Sequence, residues 1–551
     1  MKKKIFNKHQ SPFILLFLIL LIAAILRFYN LSSVPPGASL DEASIGWNAY
    51  SILHTGKDEY GYKFPILLRA FDDWRPALYV YFVIPFVKVI GLTTLAVRLP
   101  SVLLSLLTII SSYFLIKILF KDYEYKNSLS LLVSFLLAIS PWNIYISRLG
   151  HEVNAGLFFV VSGILFFLLS INDKKKKTFL IFSSILFGFS FYTYQSVKIF
   201  TPFIILTLIL IYRKQLLQMK KIFLYPTIIG VMIAAPIVIA SFSPNALIRF
   251  KGSSVFDTNN PLYAQSAKQL LVSKEKGDFL GIILNNRRVT SLNIFISQYF
   301  SHFSPKWIFS NTGNESFKTP GLGLLYYWET PFFFLGIIFL FKSKISPRTK
   351  LVIFFWILIS FIAPAITTGA PHAMRSYNII PMPIILTSFG ILGMGRFISK
   401  KIGFPLLGLV VVIELFYFFH QYFFIFPKTQ SSSFQYSLSE VMPFIAKNHN
   451  KYEKIIISNQ GSLYQSYMFY LFYNKYDPKK YLEEGGTVSG GYAETHKFNK
   501  YIFRPINYKK DRLEKNTLLV GNPSDFSQDI RALTEFRNLD GKISVEMISK
   551  K

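Results

Sequence analysis

The feature that most constrains this chain is a series of long apolar runs separated by short basic loops. Of the 551 residues, 52% are hydrophobic and only 16% are charged, which is too apolar for a soluble enzyme of this length. Runs of about 18 or more apolar residues are typical of membrane-spanning helices. The sequence therefore predicts a polytopic membrane protein with about eleven spans, at residues 12–28, 99–120, 129–146, 153–171, 179–194, 199–212, 222–242, 331–341, 351–368, 379–392 and 402–426.

The basic loops indicate how these spans are oriented, because lysine and arginine are enriched in cytoplasmic loops. The basic loops lie at residues 121–126, 174–177, 213–214, 342–348 and 400–401. They all fall on one side only if the short apolar segment 76–90 lies in the membrane interface instead of spanning it. We therefore predict interfacial helices in the first outer loop, residues 31–98. The same argument gives a cytoplasmic N-terminus, Met1-Lys2-Lys3-Lys4, ahead of a retained first span.

The outer side is predicted to carry two larger features. One is a long loop at residues 243–330, a length that is uncommon unless the loop is functional. The other begins at residue 427, where the apolar runs stop. Residues 453–458 and 516–520 have the pattern of strands, and residues 464–473 that of an amphipathic helix. The predicted fold is an all-α multi-span domain at residues 1–426, followed by a small extracytoplasmic α/β domain at residues 427–551.

Composition excludes several classes of function. The net charge of +31 would favour nucleic acid, but the lysines lie in short loops between apolar runs, so we expect the lipid bilayer and no nucleic acid as the partner. The chain has no cysteine, which excludes disulfides, thiolate catalysis and cysteine-ligated zinc. With a retained first span, this composition fits a multi-pass protein of a bacterial or archaeal plasma membrane.

A short stretch after the first span begins the first outer loop. Pro35-Pro36-Gly37 is typical of a turn, and Ser39 is the expected N-cap of a helix over residues 40–53. Asp41 and Glu42 then lie in the first turn, where acidic side chains are common because they complement the helix dipole. On these residues alone, a purely structural role for the two carboxylates is the better interpretation.

Further polar residues occur at the predicted outer ends of spans. Each one taken singly is best interpreted as an interfacial anchor, because ionisable residues are common at this position. Their number on one side nevertheless favours a functional site. They are Asp72, Asp73 and Arg75 beside the interfacial segment, Arg98 at the second span, Arg148, His151 and Glu152 after the third, and Tyr194, Gln195, His372 and Arg375 in later outer loops.

Such a set of side chains suits transfer of a sugar from a lipid-linked phosphate. Carboxylates can deprotonate an acceptor hydroxyl or hold a divalent metal ion. Arginines can bind a phosphate through two parallel hydrogen bonds. The phosphate of such a donor would lie at the level of the lipid headgroups, where these side chains are expected. Because phosphate is a good leaving group, the reaction does not require a strong general acid.

Several of these motifs together resemble the GT-C superfamily of integral-membrane glycosyltransferases. The first outer loop supplies Leu40-Asp41-Glu42, Arg75-Pro76-Ala77-Leu78-Tyr79 and Ala96-Val97-Arg98-Leu99-Pro100-Ser101. Ser147-Arg148-Leu149-Gly150-His151-Glu152 and His372-Ala373-Met374-Arg375-Ser376 are similar to motifs of bacterial members. Their order and spacing, over residues 18–426, resemble the branch of protein mannosyltransferases and aminoarabinose transferases. That branch uses polyprenyl-phosphate sugar donors.

The resemblance implies a role for each matching position. It implies that Asp41 is the catalytic base or a metal ligand, with Glu42 in support. Arg75, Arg98, Arg148 and Arg375 would contact the donor phosphate, although Arg75 is followed here by Pro-Ala where relatives have two prolines. His151 and Glu152 match a metal-contacting position of some relatives, so the need for a divalent metal ion is left open. Tyr194, Gln195 and His372 are expected to line the substrate site.

We therefore predict a glycosyltransferase that transfers a sugar from a polyprenyl-phosphate donor to a protein, lipid or cell-surface glycan on the extracytoplasmic face. The main alternative is a transporter or flippase of lipid-linked sugars. Transporters commonly carry ionisable groups within spans or inverted repeats, whereas Glu414 is the only clear carboxylate within a predicted span. A structural protein acting through residues 427–551 is a further alternative, but it leaves the polar residues of the first loop unexplained.

Overall fold

The computed structural model describes residues 12–71, 73–172, 176–243, 254–256, 260–310, 317–395, 397, 399, 401–490, 495–527 and 531–550. Asp72 and the N-terminal lysines therefore lie outside the described residues. The chain divides into two compact units. The first comprises Met1–Ala23, Leu106–Tyr145 and Gly156–Leu415, and the second Ala24–Ser105, Ile146–Ala155 and Phe416–Lys551. The predicted boundary between residues 426 and 427 stays a prediction.

Helices make up most of the described chain. In chain order, the α-helices are Pro12–Phe28, Leu40–Thr55, Leu78–Ile90, Thr94–Leu119, Lys126–Ile139, Pro141–Ser147, Val153–Asn172, Lys176–Ser190, Gln195–Ile211, Arg213–Gln218, Lys220–Ser241, Pro261–Glu275, Phe279–Leu284, Arg287–Ser301, Pro305–Phe309, Glu329–Lys342, Pro347–Ser360, Ile362–Ala365, Pro381–Met394, Gly403–His420, Phe426–Gln430, Leu438–Asn448, Ser466–Tyr473, Pro478–Glu483 and Tyr508–Asp511. Short 3₁₀ turns lie at Tyr377–Ile379, His449–Lys451, Gly461–Leu463 and Pro523–Asp525, and a π-turn lies at Gln421–Ile425.

Within the described residues, six helices are long and apolar enough to cross a bilayer, by length and composition alone. The bent pair Lys126–Ile139 and Pro141–Ser147 would make a seventh. Three shorter apolar helices are Pro12–Phe28, Leu78–Ile90 and Gln195–Ile211. The chain is thus a multi-pass helical protein, whereas the count of about eleven spans is not confirmed. The segment predicted to be interfacial forms the 13-residue helix Leu78–Ile90, which is too short to cross about 30 Å of hydrocarbon alone.

Two predicted segments differ from the structure for identifiable reasons. The span expected at residues 129–146 is broken by a 58° bend between Ile139 and Pro141. Proline lacks an amide donor and disfavours helical geometry in the residue before it, here Ser140. The segment expected as a loop at residues 243–330 contains three helices between Pro261 and Ser301. Asparagine and aspartate are turn formers, but they are also the preferred N-caps that begin such helices.

Two helices of the first unit are in unusually close contact through glycine. A Cβ atom at Gly336, in helix Glu329–Lys342, would overlap the carbonyl oxygen of Leu386. A Cβ atom at Gly390, in helix Pro381–Met394, would overlap the carbonyl oxygen of Phe332. Small residues allow membrane helices to approach closely in this way.

We expect Gly336→Ala to lower the stability of the protein by about 1–3 kcal/mol, because the added methyl group forces the two backbones apart. The control is Gly408→Ala in helix Gly403–His420, where a Cβ atom would meet nothing within 4 Å. That variant should unfold at or slightly above the temperature of the parent, since alanine is the better helix former. Thermal unfolding in detergent compares the two, and equal shifts would contradict the close contact.

Within its described residues, the second unit contains eight strands, which form a two-stranded and a six-stranded sheet. The strands are β1 Leu67–Ala70, β2 Asp73–Pro76, β3 Lys454–Ile457, β4 His496–Phe498, β5 Tyr501–Phe503, β6 Thr517–Gly521, β7 Thr534–Arg537 and β8 Ile543–Lys550. β1 and β2 are an antiparallel hairpin that pairs Leu68 with Arg75. The larger sheet has the order β4-β5-β3-β6-β8-β7, with β3 parallel to both β5 and β6.

The C-terminal segment is therefore the predicted α/β fold. β3 and β6 lie at the two positions predicted to be strands, and helix Ser466–Tyr473 lies within the predicted segment 464–473. β3 is buried at Ile455, Ile456 and Ile457, as expected for a central strand with both faces covered. Helix Ser466–Tyr473 also packs against the first-loop helix Leu40–Thr55 of the same unit.

Candidate active site

Helix Leu40–Thr55 begins with a complete capping box, as its sequence indicates. Ser39 is the N-cap, and its hydroxyl accepts a hydrogen bond from the amide of Glu42 at 3.3 Å. The Glu42 carboxylate in turn accepts a hydrogen bond from the amide of Ser39 at 2.8 Å. These bonds satisfy amides that the first turn would otherwise leave unpaired. They fix the backbone that carries Asp41.

The Glu42 carboxylate is buried and forms an ion pair with Arg98. Nε of Arg98 donates to Oε1 of Glu42 at 2.7 Å, and Nη2 donates to Oε2 at 2.9 Å. The amide of Gly150 donates to Oε1 at 2.8 Å. Burial alone would raise the pKa of Glu42, but the charge of Arg98 and these hydrogen bonds outweigh burial and hold that pKa below its usual value. Glu42 is therefore an ionised anchor of the helix.

Arg98 and Arg148 are both buried and bind backbone carbonyl groups of the last turn of the first helix and of the segment that follows it. Arg98 donates from Nη1 to the carbonyls of Leu31 and Pro35 and from Nη2 to that of Gly37. Arg148 donates to the carbonyls of Leu26, Arg27, Asn30 and Val34 at 2.7–3.2 Å. Its guanidinium also lies 4.8 Å from the ring centroid of Phe423. The predicted contact of these two arginines with a donor phosphate stays a prediction.

Asp41, in contrast, presents its carboxylate to the surface. Its side chain is 55% exposed, whereas its partner Arg75 is only 5% exposed. Nη1 of Arg75 donates to Oδ1 of Asp41 at 3.1 Å, and Nη2 donates to the hydroxyl of Ser44 at 2.7 Å. Arg75 is held by the β1–β2 hairpin, so two separate parts of the first loop converge on one carboxylate. Among the described residues, Nε of Arg75 is a buried nitrogen without a hydrogen-bond partner.

His151 and Glu152 lie next to each other in the second unit. Nδ1 of His151 is 3.4 Å from Oε2 of Glu152, and it also accepts a hydrogen bond from the amide of Val153 at 3.3 Å. In the part of the chain that the structure describes, no three His, Asp or Glu side chains form a group that could hold a metal ion. Both oxygens of Glu42 are already bound by Arg98. The donor set of the described residues therefore does not fit a metal site.

The remaining predicted residues belong to the first unit. Tyr194 is buried at the start of helix Gln195–Ile211. Arg375 donates from Nη1 to the hydroxyl of Thr367 at 2.8 Å and to the carbonyl of Thr368 at 2.6 Å. Burial and the charge of Arg375 lower the pKa of His372 to about 3, so its imidazole is neutral at physiological pH. A role for Tyr194, Gln195, His372 and Arg375 in substrate binding stays a prediction.

Sequence reasoning missed a second buried carboxylate in the first loop, Glu59. Its oxygens accept hydrogen bonds from the Asn48 amide at 3.0 Å and from the Tyr467 and Thr487 hydroxyls at 2.9 Å each. Its backbone carbonyl accepts a hydrogen bond from the amide of Thr487 at 2.9 Å. Glu59 thereby joins the helix that carries Asp41 to the C-terminal α/β fold. The pair Asp58-Glu59, a second acidic pair in the first loop, is the signal in the sequence that could have indicated it.

Ala38 and Trp47 also join the helix that carries Asp41 to the C-terminal α/β fold. The amide of Ala38 donates to the hydroxyl of Tyr473 at 2.9 Å, one residue before the N-cap. The indole nitrogen of Trp47 donates to the carbonyl of Tyr476 at 3.3 Å, and its ring contacts Tyr481 edge-on at 5.1 Å. The C-terminal fold therefore holds the start and the middle of the helix that carries Asp41.

Glu59 makes the stability of this unit dependent on pH. Burial raises its pKa from 4.5 to about 7, with a contribution from the charge of Asp58, while the three hydrogen bonds oppose the rise. Between pH 4.5 and 7 the folded protein keeps a proton that the unfolded chain releases. The contribution of Glu59 to stability should therefore be fully present below pH 4.5 and be lost as the pH rises through 7, by up to about 1.4 kcal/mol per pH unit.

We expect Glu59→Gln to flatten this dependence, because the amide has no proton to release. Thermal unfolding in detergent at several pH values between 5 and 8 measures the slope for both proteins. The quantity to compare is the change of the unfolding temperature with pH. The unfolding temperature at a single pH is not compared, since the amide also changes the hydrogen bonds to Asn48 and Tyr467. Parallel slopes would show that Glu59 does not titrate in this range.

Comparison with known proteins agrees with this architecture. Residues 75–239 match the family model of the dolichyl-phosphate-mannose-protein mannosyltransferases. The archaeal oligosaccharyltransferase AglB from Archaeoglobus fulgidus, in complex with an inhibitory peptide and a dolichol-phosphate, has a similar structure. It is 12% identical with a TM-score of 0.50, over 93% of this chain and 69% of that one. A sequence comparison with curated proteins found no match.

Two more solved structures are similar to the chain. The A. fulgidus oligosaccharyltransferase tethered with an acceptor peptide is 12% identical, with a TM-score of 0.49 over 84% of this chain. The chain spans only 63% of the length of that structure. ArnT from Cupriavidus metallidurans bound to undecaprenyl phosphate is 10% identical, with a TM-score of 0.45 over 96% of this chain and 97% of that one.

By its helical multi-pass fold and by the family match over residues 75–239, the chain is similar to one class of protein, the integral-membrane glycosyltransferases. More narrowly, the match over residues 75–239 confirms the resemblance to the GT-C superfamily found in the sequence motifs. The matched region begins at Arg75, the residue that contacts Asp41.

Proposed function

We propose that the chain transfers a sugar from a polyprenyl-phosphate carrier to a hydroxyl acceptor on the extracytoplasmic face of the membrane. The observation that carries this proposal is the pair formed by Asp41 and Arg75. An exposed carboxylate is held by a nearly buried guanidinium, at the start of a helix fixed by the buried pair of Glu42 and Arg98. The dolichol-phosphate and undecaprenyl phosphate bound by AglB and ArnT are carriers of the proposed kind.

In the proposed reaction, Asp41 acts as the general base. The proton of the acceptor hydroxyl goes to the Asp41 carboxylate, and the acceptor oxygen forms a bond with the anomeric carbon. The bond between that carbon and the donor phosphate oxygen breaks, and the oxygen keeps the electron pair as polyprenyl phosphate leaves. One in-line displacement of this kind inverts the anomeric centre.

Arg75 is proposed to hold the negative charge of the phosphate. Its guanidinium is fixed beside Asp41 by the hairpin and by Ser44, which orients it before a substrate binds. Native proteins pair nearly all buried donors, so the unpaired Nε of Arg75 is a donor that a phosphate oxygen could use. Arginine suits this task because its planar donors match phosphate geometry.

The test is a transfer assay with the purified full-length chain in proteoliposomes and a panel of radiolabelled polyprenyl-phosphate sugars. We expect one donor to be consumed, by transfer or by slow hydrolysis, and the label of the product to name the sugar. Labelled lipid that crosses the bilayer unconsumed would favour a transporter instead. Assays with and without a divalent metal ion decide whether the reaction needs one.

A further inference from the structure

Residues 260–301 form a small helical module within the long loop. Its three helices, Pro261–Glu275, Phe279–Leu284 and Arg287–Ser301, each begin at an Asn or Asp side-chain cap. Tyr263 packs with Ile294 in a buried cluster, and its hydroxyl donates to the carbonyl of Val255 at 2.9 Å. The module therefore has internal packing of its own.

One end of the module is attached to a candidate membrane span of the same unit. The hydroxyl of Tyr299 donates to the carbonyl of Leu358 at 2.8 Å, and the ring of His302 stacks on Phe361 at 5.0 Å. Leu358 and Phe361 lie near the end of the apolar segment Pro347–Ala365. Because that segment is long enough to cross the bilayer, the module begins at the edge of the membrane.

The other end of the module exposes a cluster of large apolar side chains, here called the apolar tip. The exposed fractions are 72% for Phe279, 68% for Leu280, 61% for Leu284 and 60% for Leu271. Val272 and Ile283 complete the tip. A contiguous exposed apolar patch of this kind marks a surface that contacts a membrane or another protein.

Charge distinguishes between these two kinds of contact. Four basic residues flank the apolar tip and are exposed, namely Lys274, Lys276, Arg287 and Arg288. Two acidic residues lie among them, and one of these, Asp278, is the N-cap of helix Phe279–Leu284. Apolar side chains flanked by lysine and arginine are typical of segments that lie in the membrane interface and bind anionic lipid.

The connecting helix supports the same interpretation. Arg287–Ser301 has 15 residues and is about 22 Å long, so it joins the span end to the apolar tip. Leu292, Ile296 and Phe300 are spaced four residues apart and are 54%, 41% and 63% exposed. Residues at this spacing form one stripe along a helix. An apolar stripe that starts at the edge of the membrane is suited to lie along the bilayer surface.

We propose that the apolar tip inserts into the headgroup region of the bilayer, and that its flanking lysines and arginines bind anionic lipid headgroups. The module thereby lies along the membrane surface as a second point of attachment beside the spans. This inference does not depend on the proposed sugar transfer. The occupant of the surface is lipid and not a protein partner.

The chain has no cysteine, so a single Cys can be labelled at any chosen site of the full-length protein. Leu280→Cys carries a fluorophore in the apolar tip, and Leu513→Cys is a control at a residue that is 66% exposed in the C-terminal fold. Both proteins are reconstituted in vesicles of phosphatidylcholine and phosphatidylglycerol with brominated acyl chains. We expect the brominated lipid to quench the fluorophore at position 280 at least about twofold more than the one at position 513. Iodide in the aqueous phase should instead quench the fluorophore at position 513 more strongly.

A second variant tests the basic residues. Replacing Lys274, Lys276, Arg287 and Arg288 by Gln in the Leu280→Cys protein should reduce lipid quenching by about half in vesicles with phosphatidylglycerol. In vesicles of phosphatidylcholine alone, the same replacements should change lipid quenching little. Equal quenching of positions 280 and 513 by both agents would overturn the proposal, because the apolar tip would then face water and be open to a protein partner.

Discussion

Replacing Asp41 by Asn should reduce sugar transfer by about 10²- to 10⁴-fold, the range over which general bases contribute. The Asn side chain keeps the shape of Asp41 but cannot accept the proton of the acceptor hydroxyl. The measurement is the initial rate of transfer with the donor that the wild-type protein consumes. Hydrolysis of that donor by the variant should fall in parallel, because water needs the same base.

The control for this variant is Glu535→Gln at the edge strand β7. Glu535 is 42% exposed and pairs with Arg537 at 2.8 Å, so it is also an exposed carboxylate beside an arginine, but it has no predicted role in transfer. Glu535→Gln should unfold close to the wild-type temperature, because exposed ion pairs contribute about 0–1 kcal/mol. Thermal unfolding of Asp41→Asn, whose partner Arg75 is nearly buried, shows whether a loss of transfer is accompanied by a loss of folding. If Asp41→Asn transfers sugar at the wild-type rate with normal protein levels, Asp41 is not the base.

Replacing Arg98 by Gln should destabilise the protein by about 3–5 kcal/mol, because it leaves the buried carboxylate of Glu42 without its countercharge. The carbonyl groups of Leu31, Pro35 and Gly37 lose their donors in the same step. The measurement is thermal unfolding in detergent, together with the fraction of folded protein in size-exclusion chromatography. Arg75→Gln is the contrast, since Arg75 pairs with an exposed carboxylate.

The double variant Glu42→Gln with Arg98→Gln separates charge from hydrogen bonding. Removing both charges should cost less stability than the sum of the two single changes, because neither buried charge is left alone. The hydrogen bonds from Arg98 to the carbonyl groups of the turn are lost in the single and in the double variant. The double variant should therefore recover only part of the lost stability. An Arg98→Gln protein that unfolds like the wild type but has a weaker affinity for the donor would instead support the predicted contact of Arg98 with phosphate.

Local features of the chain could be predicted from sequence because neighbouring residues determine them. Ser39 caps helix Leu40–Thr55 as its position after Pro-Pro-Gly indicates. The serine and Glu42, three residues later, form the capping box through contacts within one turn. The short helix Leu78–Ile90 lies within the apolar segment 76–90 recognised in the sequence, whereas its place in the membrane interface stays a prediction.

Contacts between distant residues could not be predicted in this way. Glu59 meets Tyr467 and Thr487 across more than 400 residues, and no spacing rule links such positions. In the same way, the amide of Gly150 donates a hydrogen bond to the carboxylate of Glu42, although the two residues are 108 positions apart in the sequence. The sequence identifies such groups as polar, but only the fold shows which of them share a partner. The arrangement of the candidate site could therefore not be predicted from the sequence.

Arg98 and Arg148 hold the backbone at the end of the first helix and in the turn that follows it. The two guanidinium groups bind seven carbonyl oxygens between Leu26 and Gly37. Every amino acid supplies a carbonyl, so this recognition does not read side-chain identity. Because Leu31 and Val34 are buried, the positions of the turn that are free to vary are the exposed Ser32 and Ser33. Engineering could alter the chemistry of the turn there while Arg98 and Arg148 keep its backbone in place.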